Sequence, residues 1–276
     1  MIGYTKKFSG RMGNRLFQYH FMKQLAYNFE EECFYPKIAD SVWFEDMEEN
    51  KIKWSIFKNK EYFSNKKILD LGKKNFLINL KNCFENKKYI VLEPGILGDH
   101  FFEYLFADPS NIIKIKEKYK ISKFEENSNL NNIAIHFRGT DFEEWNKDAI
   151  LDFEYYRNSI DYCLESLTSD IEFYIFTDDV NLDAYLQTVE YMKESNLNFH
   201  LGDTDKEAIY DFSIMSECDV VISSPSTFSI WAGILGKQKK IIHSQKWIEN
   251  RVQNNDKFWI DLTKSTNPIY KLWRTF

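Results

Sequence analysis

The second half of the chain alternates short apolar runs with amphipathic segments, and this alternation limits the fold more than any other feature. Between residues 133 and 243, runs rich in β-branched and aromatic residues are separated by segments with helical spacing of apolar residues. The predicted strands are 133–137, 171–177, 197–201, 219–223 and 239–243, and the predicted helices are 153–167, 181–193, 206–217 and 227–236. This order predicts an α/β fold with a parallel, doubly wound sheet.

The first half is less regular. Residues 2–8 predict a strand, a glycine-containing loop follows, and apolar residues at helical spacing predict a helix over 16–29. Short strands are predicted at 33–36 and 89–92, whereas the rest of 35–125 is rich in Lys, Asn and Glu and predicts no clear element. A polar segment over 120–132 separates the halves. We therefore predict two domains, 1–126 and 127–276.

Composition narrows the class of protein. The 276 residues are 43% hydrophobic and 17% aromatic, which excludes a disordered chain. The formal charge of −6 argues against a general nucleic-acid binder, because such proteins need a basic surface to displace counterions.

The sequence indicates neither a targeting segment nor a structural role of the cysteines in a zinc site or a disulfide framework. No run reaches the roughly 18 apolar residues of a membrane span, and the N-terminus does not resemble a secretory signal. We therefore expect a cytoplasmic protein, with peripheral membrane association left open. Cys33, Cys83, Cys163 and Cys218 have neither zinc-ligand nor disulfide-framework spacing, so reduced thiols are expected.

The segment 132–142 (NIAIHFRGTDF) is the first candidate site. Its apolar strand ends in His136, Arg138, Thr140 and Asp141, and ligands of open α/β sheets bind beyond the carboxyl ends of strands. The planar donor fork of Arg138 suits a phosphate. The alternative is a strand end closed by an Arg–Asp surface pair.

The loop before the first predicted helix is the second candidate. Free N–H groups at a helix start can hold a phosphate. Asn14, after Gly13, is placed either to cap that helix or to reach a ligand. A tight turn without a ligand is the alternative.

Polar residues follow three later predicted elements. Asp178 and Asp179 end the strand 171–177, where they can hold a metal or a ribose, or form an Asx turn or helix cap. Asp203-Thr204-Asp205 mimics the D-x-D of metal-dependent transferases, but its position before a helix favours capping. Ser226 and Thr227 offer hydroxyls and N–H groups to a phosphate, with a plain helix cap as the alternative.

Three segments, in this order along the chain, resemble the α1,2-fucosyltransferase family within the α1,2-, α1,6- and protein O-fucosyltransferase superfamily. Residues 10–19 (GRMGNRLFQY) resemble GGLGNQLFQY, and 136–142 (HFRGTDF) resemble H-x-R-R/G-G/T-D-Y/F/K. Residues 211–231 resemble D-x-x-x-M-S-x-C-x-x-x-I-x-x-N-S-T-F-S-W-W. Two departures are Gly139, where many members have a second Arg, and Pro225, which replaces the usual Asn.

The resemblance implies a GT-B-like architecture, with two Rossmann-like domains facing across a cleft. It implies inverting, metal-independent transfer of L-fucose from GDP-L-fucose to a galactoside-type glycan, forming an α1,2 linkage. No metal or other cofactor is expected. Transfer of another GDP-sugar, an α1,6 or α1,3 linkage, and a non-catalytic sugar-nucleotide-binding protein are the alternatives.

The resemblance also implies residue roles. Asn14, with Gly13, lies near the donor pyrophosphate, and His136 and Asp211 face the guanosine. Asp178 belongs to the donor site. Ser226 and Thr227 meet the β-phosphate, and Phe228 follows them in the same motif.

Chemistry assigns the remaining roles. Arg138 and Asn14 would meet the departing charge, and the general base is predicted to be Asp141 or Glu143. The first domain is predicted to bind the acceptor. Trp43, Trp54 and His100 are its candidate contacts, with core packing as the alternative.

Overall fold

The computed structural model describes residues 1–48, 50, 58–93, 112–120, 130–140, 142, 147–203, 206–236, 240–244 and 271–275. The chain divides into two compact units. The first contains Met1–Lys116, and every described residue from Glu117 onward belongs to the second. Each unit is built on its own parallel sheet.

The first unit has a four-stranded parallel sheet of order β2-β1-β4-β3. Its strands are β1 (Ile2–Tyr4), β2 (Cys33–Phe34), β3 (Lys60–Phe63) and β4 (Tyr89–Leu92). Its helices are α1 (Met12–Asn28) and α2 (Asn65–Glu85), and a 3-10 turn spans Ala39–Val42.

Helix α1 begins earlier than its apolar spacing predicts. It starts at Met12 instead of residue 16, and β1 ends at Tyr4 instead of residue 8. Met12 and Gly13 are already buried, so the first turn packs into the unit although its sequence is rich in small and polar residues. Asn14 therefore lies inside the first turn, and Arg11 occupies the N-cap position that the capping alternative gave to Asn14.

Helix α2 and strand β3 lie in the stretch for which the sequence predicted no element. The Ser64 side chain caps α2 by accepting a hydrogen bond of 3.2 Å from the Lys67 N–H. Ile68, Phe76 and Leu80 are fully buried and share one helix face. The helix is thus amphipathic, but its many Lys and Asn residues hide the pattern.

The second unit has a six-stranded parallel sheet of order β10-β9-β8-β5-β6-β7. The strands are β5 (Asn131–Phe137), β6 (Ile171–Thr177), β7 (Phe199–Leu201), β8 (Val220–Ile222), β9 (Lys240–His243) and β10 (Lys271–Thr275). The helices are α3 (Phe153–Ser166), α4 (Asp183–Glu194), α5 (Ala208–Glu217) and α6 (Thr227–Leu235). The predicted alternation is confirmed, whereas β10 was not predicted.

The helices cover both faces of this sheet. Ile133, Ile135 and Phe137 of β5 share a buried apolar core with residues of α3 and α4. On the opposite face, α6 approaches so closely that a Cβ added at Gly233 would lie 2.6 Å from the Ile241 side chain. The predicted α/β, doubly wound fold class is therefore confirmed.

The strand order places the site. From β5 the chain moves outward to β6 and β7, and it then returns to β8 on the other side of β5. The direction reverses between β5 and β8, which is the switch point where open α/β sheets bind ligands at the carboxyl ends of their strands. Within the described helices, none combines the length and apolar character that crossing a membrane requires.

Candidate active site

Strand pairing brings Arg138 and Asp178 together. Strands β5 and β6 pair in parallel up to Phe137 and Thr177, so the next residue of each strand leaves the sheet beside the other. The Asp178 carboxylate accepts hydrogen bonds from the Arg138 guanidinium, from the Gly139 N–H at 2.9 Å and from the Thr140 hydroxyl at 2.8 Å. A single carboxylate therefore fixes the whole 138–140 loop.

The Arg138–Asp178 pair is mostly shielded from water. The side chains are 12% and 24% exposed, so the Arg–Asp pair of the alternative interpretation is present but lies partly buried instead of on the surface. Burial alone would raise the pKa of Asp178, but the Gly139 N–H, the Arg138 charge and the Thr140 hydroxyl outweigh it and hold that pKa below its usual value. Asp178 is therefore ionised at neutral pH and orients Arg138.

His136 is buried at the switch point. Its Nδ1 lies 2.7 Å from the Ser224 hydroxyl oxygen, and the Ser224 N–H donates to the His136 carbonyl at 3.2 Å. Burial lowers the pKa of His136 to about 4, and the Arg138 charge acts in the same direction, while Asp178 opposes it. His136 is consequently neutral at pH 7 and serves as a hydrogen-bonding group.

Residues 223–226, which we call the serine turn, connect β8 to α6. The Tyr155 hydroxyl donates to the Ser223 carbonyl at 2.8 Å, and the Ser223 hydroxyl lies 2.9 Å from the Ser229 hydroxyl. These bonds tie the turn to α3 and to the first turn of α6. The turn is thus fixed beside His136.

Ser226 caps α6. Its hydroxyl accepts a hydrogen bond of 3.3 Å from the Phe228 N–H, and its own N–H donates to the Ser224 carbonyl at 2.6 Å. Thr227 is the first residue of the helix and is half-buried. The Phe228 ring centroid lies 5.6 Å from that of His136, so the helix start directly adjoins the switch point.

Asp211 lies in the first turn of α5, a helix that covers the same face of the sheet as α6. It lines a cavity of about 150 Å³ together with Tyr174, Phe176 and Tyr210. The next residue, Phe212, packs its ring 5.3 Å from the Phe228 ring. An aromatic contact therefore links this cavity to the His136 neighbourhood.

The two aspartates after β6 have different roles. Asp178 holds the 138–140 loop, whereas Asp179 accepts a hydrogen bond of 2.9 Å from the Asn181 N–H in an Asx turn. The Asx-turn alternative is therefore correct for Asp179. In the part of the chain that the structure describes, no three His, Cys, Asp or Glu side chains are grouped as metal ligands would be.

Asp203 does not cap α5. Its carboxylate pairs with Lys206 at 3.1 Å, and the helix begins at Ala208 after Glu207. The capping interpretation is therefore wrong for Asp203, while Thr204 and Asp205 lie outside the described residues.

Gly13 and Asn14, the predicted pyrophosphate contacts, belong to the first unit. Gly10 precedes them with a φ of +79°, a conformation that favours glycine. A Cβ added at Gly10 would lie 2.5 Å from the Asn14 amide nitrogen, so the loop packs tightly on the Asn14 side chain.

Several predicted residues lie outside the described part of the chain: Asp141, Glu143, Trp54 and His100. Trp43 is described and half-buried. All four cysteines are described and unpaired.

Sequence reasoning missed Ser224 and Tyr155, although both support the site. Ser224 lies inside the third quoted motif, and that position was the available signal. Tyr155 carries no signal, because its contact with Ser223 spans 68 residues of sequence.

The sheet order is that of a doubly wound α/β fold, and the polar groups described above lie at its switch point, where such folds bind ligands. A family model described as Glycosyl transferase family 11 matches residues 4–263. The chain therefore belongs to this family, and the family prediction is confirmed.

Solved structures resemble most of the chain at low sequence identity. The structure of POFUT1 in complex with GDP-fucose has a TM-score of 0.51 at 11% identity, covering 86% of this chain and 94% of that one. NodZ alpha-1,6-fucosyltransferase, soaked with GDP-fucose, has a TM-score of 0.47 at 13% identity, covering 85% and 92%. The first likeness supports the GT-B-like fold. No curated protein matches the sequence.

Proposed function

We propose that this protein is an inverting fucosyltransferase that transfers L-fucose from GDP-L-fucose to a galactoside-type glycan, forming an α1,2 linkage. One observation carries the proposal: Asp178 holds Arg138 at the carboxyl end of β5, beside the start of α6, in a chain of glycosyl transferase family 11. The structurally similar POFUT1 was solved with GDP-fucose, which is the same donor.

Departure of the diphosphate is the first chemical requirement. Negative charge develops on the leaving oxygen, and donors that are already oriented stabilise it without reorganisation. Arg138 is oriented in this way by Asp178. We assign Thr227 and the helix start to the β-phosphate, and Gly13 and Asn14 of the first unit to the pyrophosphate.

The guanosine is assigned to the second unit. Cavities for complete small ligands usually span about 300–1,000 Å³. The cavity beside Asp211, of about 150 Å³, therefore suits one part of the donor. The Asp211 carboxylate can accept from the N–H groups of guanine, and Tyr174 and Tyr210 supply rings for stacking.

Inversion also needs a base that takes the proton of the acceptor hydroxyl. His136 is unsuited because it is buried and its pKa is lowered to about 4. We assign the base to Asp141 or Glu143, which follow Arg138 closely in sequence.

We propose that neither a metal ion nor another cofactor takes part, because Arg138 and helix N–H groups can meet the diphosphate charge. Activity is expected to survive excess EDTA. Loss of activity that Mg²⁺ or Mn²⁺ restores would overturn this part of the proposal and would make Asp178 and Asp179, or Asp203 and Asp205, the candidate ligands. We propose that the reaction takes place in the cytoplasm, and this proposal is compatible with peripheral association with the membrane.

The decisive experiment measures GDP release from GDP-fucose with a panel of galactosides, and determines the linkage of each product. GDP-mannose serves as the control donor. An α1,2-fucosylated product supports the full proposal, and an α1,6 or α1,3 product corrects the linkage. GDP binding without transfer to any acceptor would identify a non-catalytic binding protein.

A further inference from the structure

Arg15 connects the loop before α1 to a distant aspartate. We call residues 9–14, which comprise the end of the loop before α1 and the first three residues of the helix, the α1 loop. The Arg15 Nε and Nη2 donate to the two oxygens of the Asp40 carboxylate at 2.6 and 2.8 Å, and Nη1 donates to the Gly10 carbonyl. The guanidinium thus bridges a side chain of the 3-10 turn Ala39–Val42 and the backbone of the α1 loop.

This ion pair is poorly explained by stability alone. The Asp40 side chain is 1% exposed and that of Arg15 is 21% exposed. Removing such charges from water costs about as much as their attraction returns, so a buried pair adds little net stability compared with apolar packing. Its clearest effect is geometric, because the bidentate contact fixes the plane of the guanidinium and hence the position of Gly10.

Gln18 provides a second tether. Its side chain is fully buried, and its amide nitrogen donates to the Ser9 carbonyl at 2.8 Å and to the Asn14 carbonyl at 3.0 Å. Its amide oxygen accepts from the Ser9 N–H at 3.2 Å. Both ends of the α1 loop are therefore held by side chains of α1.

The tethered backbone in turn restrains Asn14. Gly10 has a φ of +79°, and an added Cβ would lie 2.5 Å from the Asn14 amide nitrogen and 2.8 Å from its Cβ. Any shift of Gly10 therefore changes the space open to the Asn14 side chain.

We propose that Arg15, anchored on Asp40, is a positioning residue that holds Asn14 ready for the donor diphosphate. The inference rests on the proposed function. The family pattern GGLGNQLFQY has Gln where this chain has Arg15, so the charged bridge to Asp40 does not follow from that pattern.

The test compares variants of Arg15 and Asp40 with a matched control. Arg15→Gln/Asp40→Asn removes both charges without leaving a buried charge unpaired, and Arg15→Lys keeps the charge but loses the fork. Glu61→Gln is the control, because Glu61 pairs with Lys67 and Lys88 in the same unit and touches no residue of the α1 loop through these bonds. Tm, hydrogen exchange without ligand, and GDP affinity by calorimetry are measured for each.

In the double variant we expect the amides of the α1 loop to exchange about tenfold faster and the Kd for GDP to rise about tenfold, as expected when a preorganised loop is released. Arg15→Lys should change both quantities less. Glu61→Gln should change neither, even if its Tm falls. If the double variant does not fold, the change in Arg15→Lys relative to Glu61→Gln decides.

Two results would overturn this inference and leave the proposed function intact. The first is faster amide exchange in the double variant with unchanged GDP affinity. The second is a loss of GDP affinity in Glu61→Gln that equals the loss in the double variant at the same change in Tm. Wild-type protein that binds no GDP would overturn the proposed function first, and the inference with it. The exchange data distinguish these cases, because they need no ligand.

Discussion

The two units hold their candidate site loops by different means. In the second unit, the bonds that fix the 138–140 loop and the serine turn join residues 40 and 88 positions apart in sequence. In the first unit, Gln18 and Arg15 reach back only 9 and 5 positions to hold the α1 loop, and Asp40 adds one contact 25 positions away.

The shapes of the two loops therefore depend on different kinds of contact. The 138–140 loop has its shape only when β5 and β6 pair in register, because the register places Asp178 beside Arg138. The α1 loop is mostly shaped by the motif that contains it. Variants in the second unit should therefore act through cross-strand partners, whereas variants in the first unit should act locally.

The largest effect is expected at Arg138. Arg138→Ala should leave the fold intact and lower kcat by about 10²-fold or more, the scale of losing one charged donor to the transition state. Arg138→Lys should restore little, because the planar fork is lost. Arg157→Ala, an exposed arginine on α3, is the matched control and should keep wild-type kcat. Wild-type turnover in Arg138→Ala would remove this residue from the mechanism.

The second prediction concerns acid stability at the switch point. The pKa of His136 is lowered to about 4 in the folded protein, so between pH 6.5 and 4 the unfolded chain binds a proton that the folded protein does not. Stability is therefore lost as the pH falls through this range, by about 2 kcal/mol at pH 5, and the loss levels off below pH 4.

Measurement of unfolding by urea between pH 7 and 4 tests this. His136→Gln removes one of two buried titrating groups and should make the loss of stability on acidification smaller than in the wild type, while His243, whose pKa burial lowers to about 3, keeps its own contribution. Equal pH profiles of wild type and His136→Gln would contradict the assignment of a neutral, buried His136.

Secondary-structure elements could be predicted from the sequence more accurately than contacts between residues. Apart from β10, the strands and helices of the second unit follow from hydrophobic periodicity, because a sheet with helices on both faces imposes a clear pattern. Helix α2 was missed because Gly72 and several Lys and Asn residues interrupt its apolar face. The residue types at the site were found from motifs, but the bond between Arg138 and Asp178 requires knowing that β5 and β6 are neighbours. Asp40 carried no sequence signal at all.

The third prediction separates the two aspartates after β6. Asp178→Asn keeps an oxygen for the Gly139 N–H but loses the charge that orients Arg138, so kcat should fall about tenfold, the scale of one charge-assisted hydrogen bond. Asp179→Asn is the control, since an amide oxygen can still accept from Asn181 in the Asx turn. Similar losses in both variants would show that the turn as a whole matters, and not the contact with Arg138.

The smallest effect on GDP affinity is expected for substitutions in the first unit, outside the α1 loop. Trp43 is half-buried, and its backbone N–H, which donates to the Asp40 carbonyl at 2.9 Å, is unaffected by substitution. If the first domain binds the acceptor, Trp43→Ala should raise the acceptor KM while GDP affinity stays within about a factor of two, as for loss of acceptor binding alone. Trp54→Ala and His100→Ala, at positions outside the described residues, are predicted to have the same effect.

The alternative, that these side chains pack in the core, predicts a lower Tm instead, so Tm is measured together with calorimetry of GDP binding. A large loss of GDP binding in several folded variants would mean that the acceptor and donor domains are assigned the wrong way round.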